Sequence, residues 1–409
     1  MAFGLTKKEF SWVSYDVGNS AFVMLSTALI PVYFSSLAEE GSSIVVAWGY
    51  AETVASLILA LLMPFLGSLA DLAGNKKKFL IGFAGTGAVA CAALGVPQHA
   101  LAFLVVYVVS SVMLNGSMVF YDAFLIDATT EERYDKVSSH GYAWGYIGSC
   151  IPFIACLAVV LGGSAIGIDM GTGMKIAFII TALWWIAFTI PIVKNVTQTH
   201  YREHTAHVFK TTFDSLKSTM KDIAHDKRLL FFLIAFFFYI DGVHTVIKMS
   251  TSYGTDLGID STQLVLALLV TQFVAFPSAI AYGNLAKRFG TRNMLLVGVF
   301  AYFCIVMFAA FFLKTATEFW ILAICVGLFQ GGIQALSRSE YGKLIPKDKA
   351  NEYYGFFDIF GKYAAVMGTF LVSVFTQLTG NPSFGVLSIA ALFVIGFFFL
   401  RAMPAKEAK

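Results

Sequence analysis

The sequence predicts an all-α membrane protein with twelve transmembrane helices, arranged as two pseudo-symmetric halves of six. Of its 409 residues, 58% are hydrophobic and only 13% are charged, which leaves too little polar surface to cover a water-soluble globule. Its apolar runs match the ~20 residues that a helix needs to cross a bilayer. Two segments that begin at Gly67 and Gly283 repeat the pattern G-x-L-A-x-x-x-G followed by basic residues, which indicates a duplicated chain.

The predicted spans follow from dividing the sequence at polar residues and at Gly- or Pro-rich turns. A long polar stretch, 196–228, separates a first half, 1–195, from a second half, 229–409. The twelve spans lie near residues 10–37, 44–71, 77–96, 99–127, 138–162, 173–194, 229–253, 261–286, 291–313, 316–344, 350–378 and 383–403.

Basic residues set the predicted orientation. All but four of the 28 Lys and Arg residues fall in the even-numbered loops, including the linker 196–228, or at the termini. The positive-inside rule therefore places both termini in the cytoplasm. The compact length favours the plasma (inner) membrane of a prokaryote. A net charge of +3, spread over short loops, gives no basic domain for nucleic acid.

Several motifs resemble known membrane transporters. The loop that begins at Gly67 resembles the loop signature of the major facilitator superfamily, and it places Asp71 and Gly74 at signature positions. Motifs on predicted helices one, five, seven and ten resemble the vacuole-effluxer family, which includes autophagy-related amino-acid effluxers and bacterial relatives. They are W-x-x-Y-D-x-G-N-S-A-F from Trp12, G-Y-A-W-G-Y-x-G from Gly141, D-G-V from Asp241 and G-G-x-Q-A-L-S-R-S from Gly331. The resemblance implies the major facilitator fold, with helices one and seven lining a central cavity.

Ionisable residues inside the predicted spans are the main candidates for a solute site. A charge near the bilayer centre costs at least ~2.5 kcal/mol, so such residues are expected to face a partner, a cavity or water. Asp16 and Asp241 have no basic residue three or four positions away, which favours a cavity role and proton coupling. His244 and Glu52 are further candidates for proton coupling, although His244 also fits a packing role and Glu52 an outer rim position. The predicted solute-binding set is Tyr15, Asp16, Asn19, Asn115, Trp144, Tyr146, Asp241, His244, Lys248, Gln330, Gln334, Asp358 and Lys362.

Two alternatives stay open within that set. Asp358 and Lys362 are spaced i, i+4, so they either neutralise each other along one helix or face the cavity.

Near the inner helix ends, charged residues are expected to form inter-helix ion pairs that close the cytoplasmic side, and Asp71 is expected to hold the outward-facing state. The predicted gating residues are Gly67, Asp71, Gly74, Asp122, Asp127, Arg338 and Glu340.

These features predict a secondary active transporter of a small polar or zwitterionic solute, in the amino-acid or short-peptide class, that works by alternating access with proton coupling. An exporter or flippase of an amphiphilic lipid, drug or bile-acid-like molecule is the alternative. The sequence contains no G-x-x-x-x-G-K-[ST] segment and no H-E-x-x-H motif, so we expect neither an ATPase nor an enzyme. We expect a monomer whose partners are its solute, protons or another coupling ion, and the lipid bilayer, with no cofactor and no metal.

Overall fold

The computed structural model describes residues 2–37, 44–203, 208–256 and 258–405. The side chains of 362–366 and of a few other residues within these ranges lie outside the description, Lys362 among them. The helices are α1 Lys7–Ala28, α2 Ile30–Leu37, α3 Ile44–Ala70, α4 Lys76–Ala93, α5 Ala100–Ala123, α6 Leu125–Ala128, α7 Tyr134–Gly162, α8 Met170–Asn195, α9 Val208–His225, α10 Lys227–Asp256, α11 Ser261–Phe289, α12 Thr291–Phe312, α13 Ala316–Leu344, α14 Ala350–Thr379, α15 Pro382–Ser388 and α16 Ala390–Ala402.

Most of these helices are long and apolar enough to cross a bilayer. Within the described ranges, nine spans meet that test, and α1 with α2, bent by 45°, makes a tenth. The predicted interval 77–96 covers α4 except for its first residue, and α4 begins with three lysines. The interval 350–378 covers α14 except for its last residue. The apolar stretch described within α14, Met367–Thr379, is shorter than a full span. Every predicted span therefore contains a helix or a bent pair, while the count of twelve crossings stays a prediction.

Local capping explains where several helices begin. Thr6 and Glu9 form a capping box at the start of α1: the Thr6 N–H donates to Glu9 Oε2 at 2.7 Å, and the Glu9 N–H donates to Thr6 Oγ1 at 3.2 Å. Asp169 caps α8, because its Oδ1 accepts the Thr172 N–H at 2.9 Å. Such caps satisfy N–H groups that lack a partner within their own helix.

The chain folds into two compact units whose boundaries differ from the predicted halves. Unit 1 comprises Met1–Thr130, Trp144–Thr212 and Lys347–Gly355, and unit 2 comprises Glu131–Ala143, Phe213–Pro346 and Phe356–Lys409. Helix α7 therefore begins in unit 2 and continues in unit 1, whereas α14 does the reverse. The linker 196–228 is divided between the two units, and the boundary, between Thr212 and Phe213, lies within α9.

Each unit contains the same set of helix pairs. In unit 1, α1 packs on α8, α4 packs on α5 and α8, and α3 packs on α5. In unit 2 the corresponding pairs are α10 with α16, α12 with α13 and α16, and α11 with α13. Equivalent buried contacts accompany them: the Tyr15 hydroxyl donates to Ser117 Oγ at 2.6 Å, and the hydroxyls of Tyr239 and Ser337 lie 2.6 Å apart. These parallels support the duplication indicated by the two loop motifs.

Candidate functional site

Asp16 on α1 is buried inside unit 1. It is 4% exposed, and its Oδ2 accepts the hydroxyl proton of Tyr121 on α5 at 2.6 Å. Trp12, one turn earlier, stacks on the Tyr121 ring at 4.4 Å and donates its indole N–H to the Tyr121 carbonyl. Asn19 lies on the same face and donates to the Tyr15 carbonyl oxygen at 2.9 Å. The polar face of α1 is thus packed against α5 in this conformation.

Asp241 on α10 holds the corresponding place in unit 2 and is fully buried. Its Oδ1 accepts the backbone N–H of Gly368 on α14 at 2.9 Å and the hydroxyl of Thr245 at 3.3 Å. No described residue hydrogen-bonds Oδ2. A Cβ at Gly368 would lie 2.6 Å from Oδ1, so the glycine permits this close approach of α14. One half of a buried carboxyl group is therefore satisfied and the other half is not.

The remaining candidates on α10 and α14 differ in exposure. Along α10, Asp241 is buried, His244 is half-buried and Lys248 is exposed, so their shared stripe runs from the protein interior to its surface. Asp358 on α14 is half-buried, and the side chain of Lys362 lies outside the described residues. The i, i+4 ion pair between them stays a prediction.

The predicted polar and aromatic residues are divided between the units. In unit 1, the Asn115 amide donates to the Ser111 carbonyl at 2.8 Å, and Trp144 meets Phe3 edge to face at 4.9 Å. Tyr146, also in unit 1, is half-buried on α7. In unit 2, Gln330 is 6% exposed, whereas Gln334 is half-buried.

Gln330 lines a cavity of about 420 Å³ among α10, α11 and α13 in unit 2. The lining is almost entirely apolar, with Ser250 and Thr271 as its other polar members. A second cavity, of about 400 Å³, lies between α10, α12 and α13 and shares Phe319 with the first. These cavities offer space for an apolar group beside a single amide.

Glu52 on α3 is half-buried and contacts an aromatic group of unit 1. Its Oε1 accepts the hydroxyl proton of Tyr107 on α5. Trp48, one turn before Glu52, lies 4.3 Å from the Tyr107 ring centre, and Phe34 on α2 lies 5.8 Å from Trp48. Sequence reasoning singled out Glu52 but not these rings, because a tyrosine or tryptophan in an apolar run gives no sign of its neighbour on another helix.

Asp71, directly after α3, caps the start of α14 inside unit 1. Its Oδ1 accepts the backbone N–H of Asn351 at 2.8 Å and the Asn351 amide at 2.7 Å, and its Oδ2 accepts the N–H of Glu352 at 2.9 Å. These are N–H groups of the first turn, which have no partner within α14. Burial raises the pKa of Asp71 to about 7, although nearby Lys76 and the N–H donors lower it.

The two glycines of this loop signature have different roles. Gly67 lies within α3, and a Cβ there would sit 2.5 Å from the Asn351 carbonyl oxygen, so the glycine lets the start of α14 reach α3. Gly74 has φ +73° and open space around it, so it provides the turn into α4. Both had been predicted as gating residues, Gly67 within the predicted span 44–71 and Gly74 in the loop after it.

Asp127 forms a buried ion pair beside this cap. Lys76 Nζ lies 2.7 Å from its Oδ2, and neither side chain is exposed. Its Oδ1 accepts the backbone N–H groups of Thr199 at 2.8 Å and His200 at 2.9 Å. Burial raises the pKa of Asp127, but Lys76 and these donors outweigh burial and hold it well below its usual range.

The start of the linker is bound to the same loop. The Arg202 N–H donates to the Asp71 carbonyl at 2.8 Å, the Ala73 N–H donates to the Arg202 carbonyl at 3.0 Å, and the Arg202 guanidinium lies 3.4 Å from Glu352. Apart from the polarity of the linker, nothing in its sequence signals these contacts. Asp71, Asp127 and residues 198–202 therefore form one cluster, here called the loop cluster.

Arg338 and Glu340 belong to a second cluster, inside unit 2. Arg338 donates from Nε to Ser138 Oγ at 2.9 Å, and its guanidinium lies 4.4 Å from the Tyr142 ring centre. Glu340 lies 3.4 Å from Arg228 and 3.6 Å from Lys343. Lys343 also pairs with Asp135 at 2.7 Å, a contact that sequence reasoning missed. Asp122, the last predicted gating residue, is half-buried near the end of α5 in unit 1.

No group of three or more His, Cys, Asp or Glu residues suited to a metal ion occurs in the part of the chain that the structure describes. The described clusters instead pair carboxylates with N–H donors, hydroxyls and basic side chains.

Comparison with known sequences identifies the family. The family described as "Vacuole effluxer Atg22 like" matches residues 42–127 and 126–409. The uncharacterized MFS-type transporter YxiO of Bacillus subtilis is 47% identical, over 98% of this chain and 96% of its own. Autophagy-related protein 22 of Cryptococcus neoformans is 25% identical over 64% of this chain, and the match spans about half (48%) of that protein.

Solved structures show the same fold at low identity. The outward conformation of the transporter FucP has a TM-score of 0.72 at 12% identity, covering 98% of this chain and 99% of its own. The human organic anion transporter MFSD10 has a TM-score of 0.74 at 13% identity, covering 95% and 97%. The proton:xylose symporter XylE has a TM-score of 0.70 at 9% identity, covering 97% and 94%. The sequence resemblance is therefore confirmed: the chain belongs to the Atg22-like vacuole-effluxer family of major facilitator superfamily transporters.

Proposed function

We propose that this protein is a secondary active transporter that moves a small polar or zwitterionic solute of the amino-acid or short-peptide class by alternating access, coupled to protons. Membership of a transporter family supports transport itself. The family is named for a vacuole effluxer, which supports efflux. XylE is described as a proton:xylose symporter, which supports proton coupling. The observation that carries the proposal is the buried carboxyl group of Asp241, which has one oxygen without a partner among the described residues.

Asp241 is suited to carry a proton. An ionised carboxylate with an unsatisfied oxygen in an apolar interior is costly, and the neutral acid costs much less. Its satisfied oxygen depends on the Gly368 N–H of α14, so a shift of α14 against α10 would change how well the charged form is stabilised. Binding a proton in one state and releasing it in another couples the gradient to that shift. Asp16, bound to Tyr121, is the corresponding group in unit 1.

The loop cluster supports the alternating-access part of the proposal. Asp71 caps α14 only while the first turn of α14 lies against Gly67. Such a contact is either made or broken, which suits a two-state transition. We place this cluster on the cytoplasmic side, with both chain termini, in the inner membrane of a prokaryote, and we treat the transporter as a monomer.

Transport by purified protein in proteoliposomes tests the proposal. An imposed proton gradient should drive accumulation of at least one solute from a panel of amino acids and dipeptides. Asp241→Asn should abolish gradient-driven accumulation while solute exchange at equal pH continues, because the neutral side chain keeps its size but binds no proton. Asp169→Asn, at an exposed helix cap, is the matched control and should transport normally. Flux that ignores the gradient, together with an unimpaired Asp241→Asn variant, would refute proton coupling.

The apolar cavities of unit 2 favour a second candidate function, the export or flipping of an amphiphile. Their almost purely apolar linings suit a hydrocarbon group better than a zwitterion. Fluorescent phospholipid in the same proteoliposomes separates the two functions. Protein-dependent lipid translocation without any amino-acid or peptide flux would replace the first candidate with the second.

A further inference from the structure

We propose that Glu52, Trp48 and Tyr107 form a binding site within unit 1 for the ammonium group of an organic cation. The assignment of this group to the transported solute rests on the transport function proposed above. The binding of an organic cation at these residues does not, because it is a property of the folded unit.

Glu52 lies on the packed side of α3. The strongly exposed side of this helix is apolar, and its clearest members are Tyr50, at 69% exposure, and Leu61, at 79%. At about 100° per residue, Glu52 points to the opposite side, as do the buried residues Leu59 and Met63. Glu52 nevertheless keeps part of its surface exposed. A half-exposed carboxylate on the inward side of a membrane helix indicates a position that a solute reaches from within the protein.

The carboxylate of Glu52 has no cationic partner among the residues whose positions are known. It takes part in none of their ion pairs, and its hydrogen bond comes from a neutral tyrosine. Sequence neighbours do not supply a charge either, because positions three and four residues away hold Gly49, Ala55, Trp48 and Ser56. A carboxylate that is the sixth residue of an apolar span is stabilised by water, a cavity or a compensating charge. A bound cation supplies one.

The aromatic residues around Glu52 make an ammonium group the preferred cation. Trp48, which is half-buried, packs on the buried ring of Tyr107, with 4.3 Å between ring centres and 35° between planes, next to the carboxylate. Phe34 supports Trp48 from α2 at 5.8 Å. Aromatic faces attract organic cations, tryptophan most strongly, whereas small metal ions prefer several oxygen ligands. One carboxylate beside the partly exposed Trp48 ring therefore favours a substituted ammonium over a metal ion.

The Tyr107 hydroxyl has a positioning role. Its bond to Oε1 fixes the orientation of the carboxylate, and the remaining lone pairs of Glu52 stay available to a ligand. Tyr107 is itself held on the buried side of α5, with 3% exposure. The geometry is consequently set by rigid elements of unit 1 rather than by a mobile loop.

Choline and 3,3-dimethylbutan-1-ol provide a matched pair of probes, because they differ only in a charged nitrogen replacing a neutral carbon. Binding to the purified full-length protein in nanodiscs is measured by calorimetry. We expect choline to bind at least about tenfold more tightly than its neutral analogue, which corresponds to about 1.4 kcal/mol for an ammonium–carboxylate contact. Glu52→Gln should cut this preference to about fivefold or less, the share that the contact with Trp48 supplies. Trp48→Ala should weaken choline binding about fivefold, the effect of one cation–π contact.

Controls keep the interpretation specific. Glu203→Gln removes an exposed carboxylate of unit 1 and should leave the preference for choline unchanged. Trp48→Phe keeps a ring at the site and should bind choline more tightly than Trp48→Ala does, and circular dichroism checks that each variant is folded. Equal binding of the two probes by the native protein, or a preference for choline that Glu52→Gln leaves undiminished, overturns the inference. If the Glu52-dependent preference is found but no solute is transported, this site stands and the proposed function fails.

Discussion

The cap that Asp71 places on α14 allows a prediction that can be measured at single amides. Asp71→Ala removes the acceptor of two backbone N–H groups and one side-chain amide, all in buried residues. An unsatisfied buried donor costs about 1–3 kcal/mol, and water reaching some of the donors reduces the sum, so we expect a loss of about 2–5 kcal/mol. This corresponds to a rise of at least about 30-fold in the opening of the first turn of α14.

Hydrogen exchange measured by mass spectrometry on peptides that contain Asn351 and Glu352 is the assay. Their amides should exchange at least about 30-fold faster in Asp71→Ala, while amides of other helices keep their protection. Asp169→Ala is the matched control, because it removes the capping aspartate of α8 and should change exchange only near Thr172. Unchanged protection of Asn351 and Glu352 in Asp71→Ala would refute the assigned cap.

The pKa of Asp71 adds a pH dependence with a definite sign. Burial raises it to about 7 in the capped state, whereas an exposed aspartate titrates near 3.9. Because the capped state binds the proton more tightly, this contribution to its stability is fully present below pH ~4 and is lost as the pH rises through about 7. Protection of the Asn351 and Glu352 amides, corrected for intrinsic exchange rates, should therefore fall from about pH 4 to about pH 7 and level off above that. Asp71→Asn should abolish this dependence.

Three further predictions concern stability and coupling. Lys76→Ala leaves Asp127 as an uncompensated buried charge and should cost about 3–5 kcal/mol of folding stability, seen as a marked fall in Tm. The double variant Lys76→Met with Asp127→Leu removes both charges and should cost less. An unchanged Tm for Lys76→Ala would contradict the buried pair. Gly67→Ala places a Cβ 2.5 Å from the Asn351 carbonyl oxygen and should cost about 1–3 kcal/mol in thermal unfolding, whereas the control Gly82→Ala, with open space around it, should be neutral or stabilising. Asp241→Asn should make transport indifferent to an imposed pH difference, and a variant that still concentrates solute along that gradient would show that another group carries the proton.

Hydropathy and repetition predicted the helices well because both depend on local composition. The interval 44–71 corresponds to α3, and 316–344 to α13, since an apolar run must satisfy its backbone hydrogen bonds internally whatever surrounds it. The bend of 45° between α1 and α2 had no comparable signal. The mixed composition of the two units was also hidden, because sequence order does not show that the first residues of α7 and α14 pack apart from the rest of those helices.

Contacts were less accessible to sequence reasoning than elements. The loop signature singled out Asp71 and Gly67, but not that both serve the first turn of α14, because main-chain N–H groups leave no mark in a sequence. Asp127 was noted as a charged residue near a helix end, whereas its bonds to Thr199 and His200 join it to a segment predicted only as a connection. Solute and proton roles for Asp16 and Asp241 rest on their chemistry and burial and await measurement.

The boundaries of the two units have a practical consequence for dissecting this protein. Because 131–143 and 347–355 each belong to the unit opposite to the rest of their helix, the chain passes from one unit to the other at five places rather than once. Cutting the gene at the linker would therefore separate two stretches of chain but not two self-sufficient bodies. Each fragment would lack a short piece of its own packing and carry one meant for its counterpart. Co-expressed fragments should recombine through these exchanged pieces, and either fragment alone should be unstable.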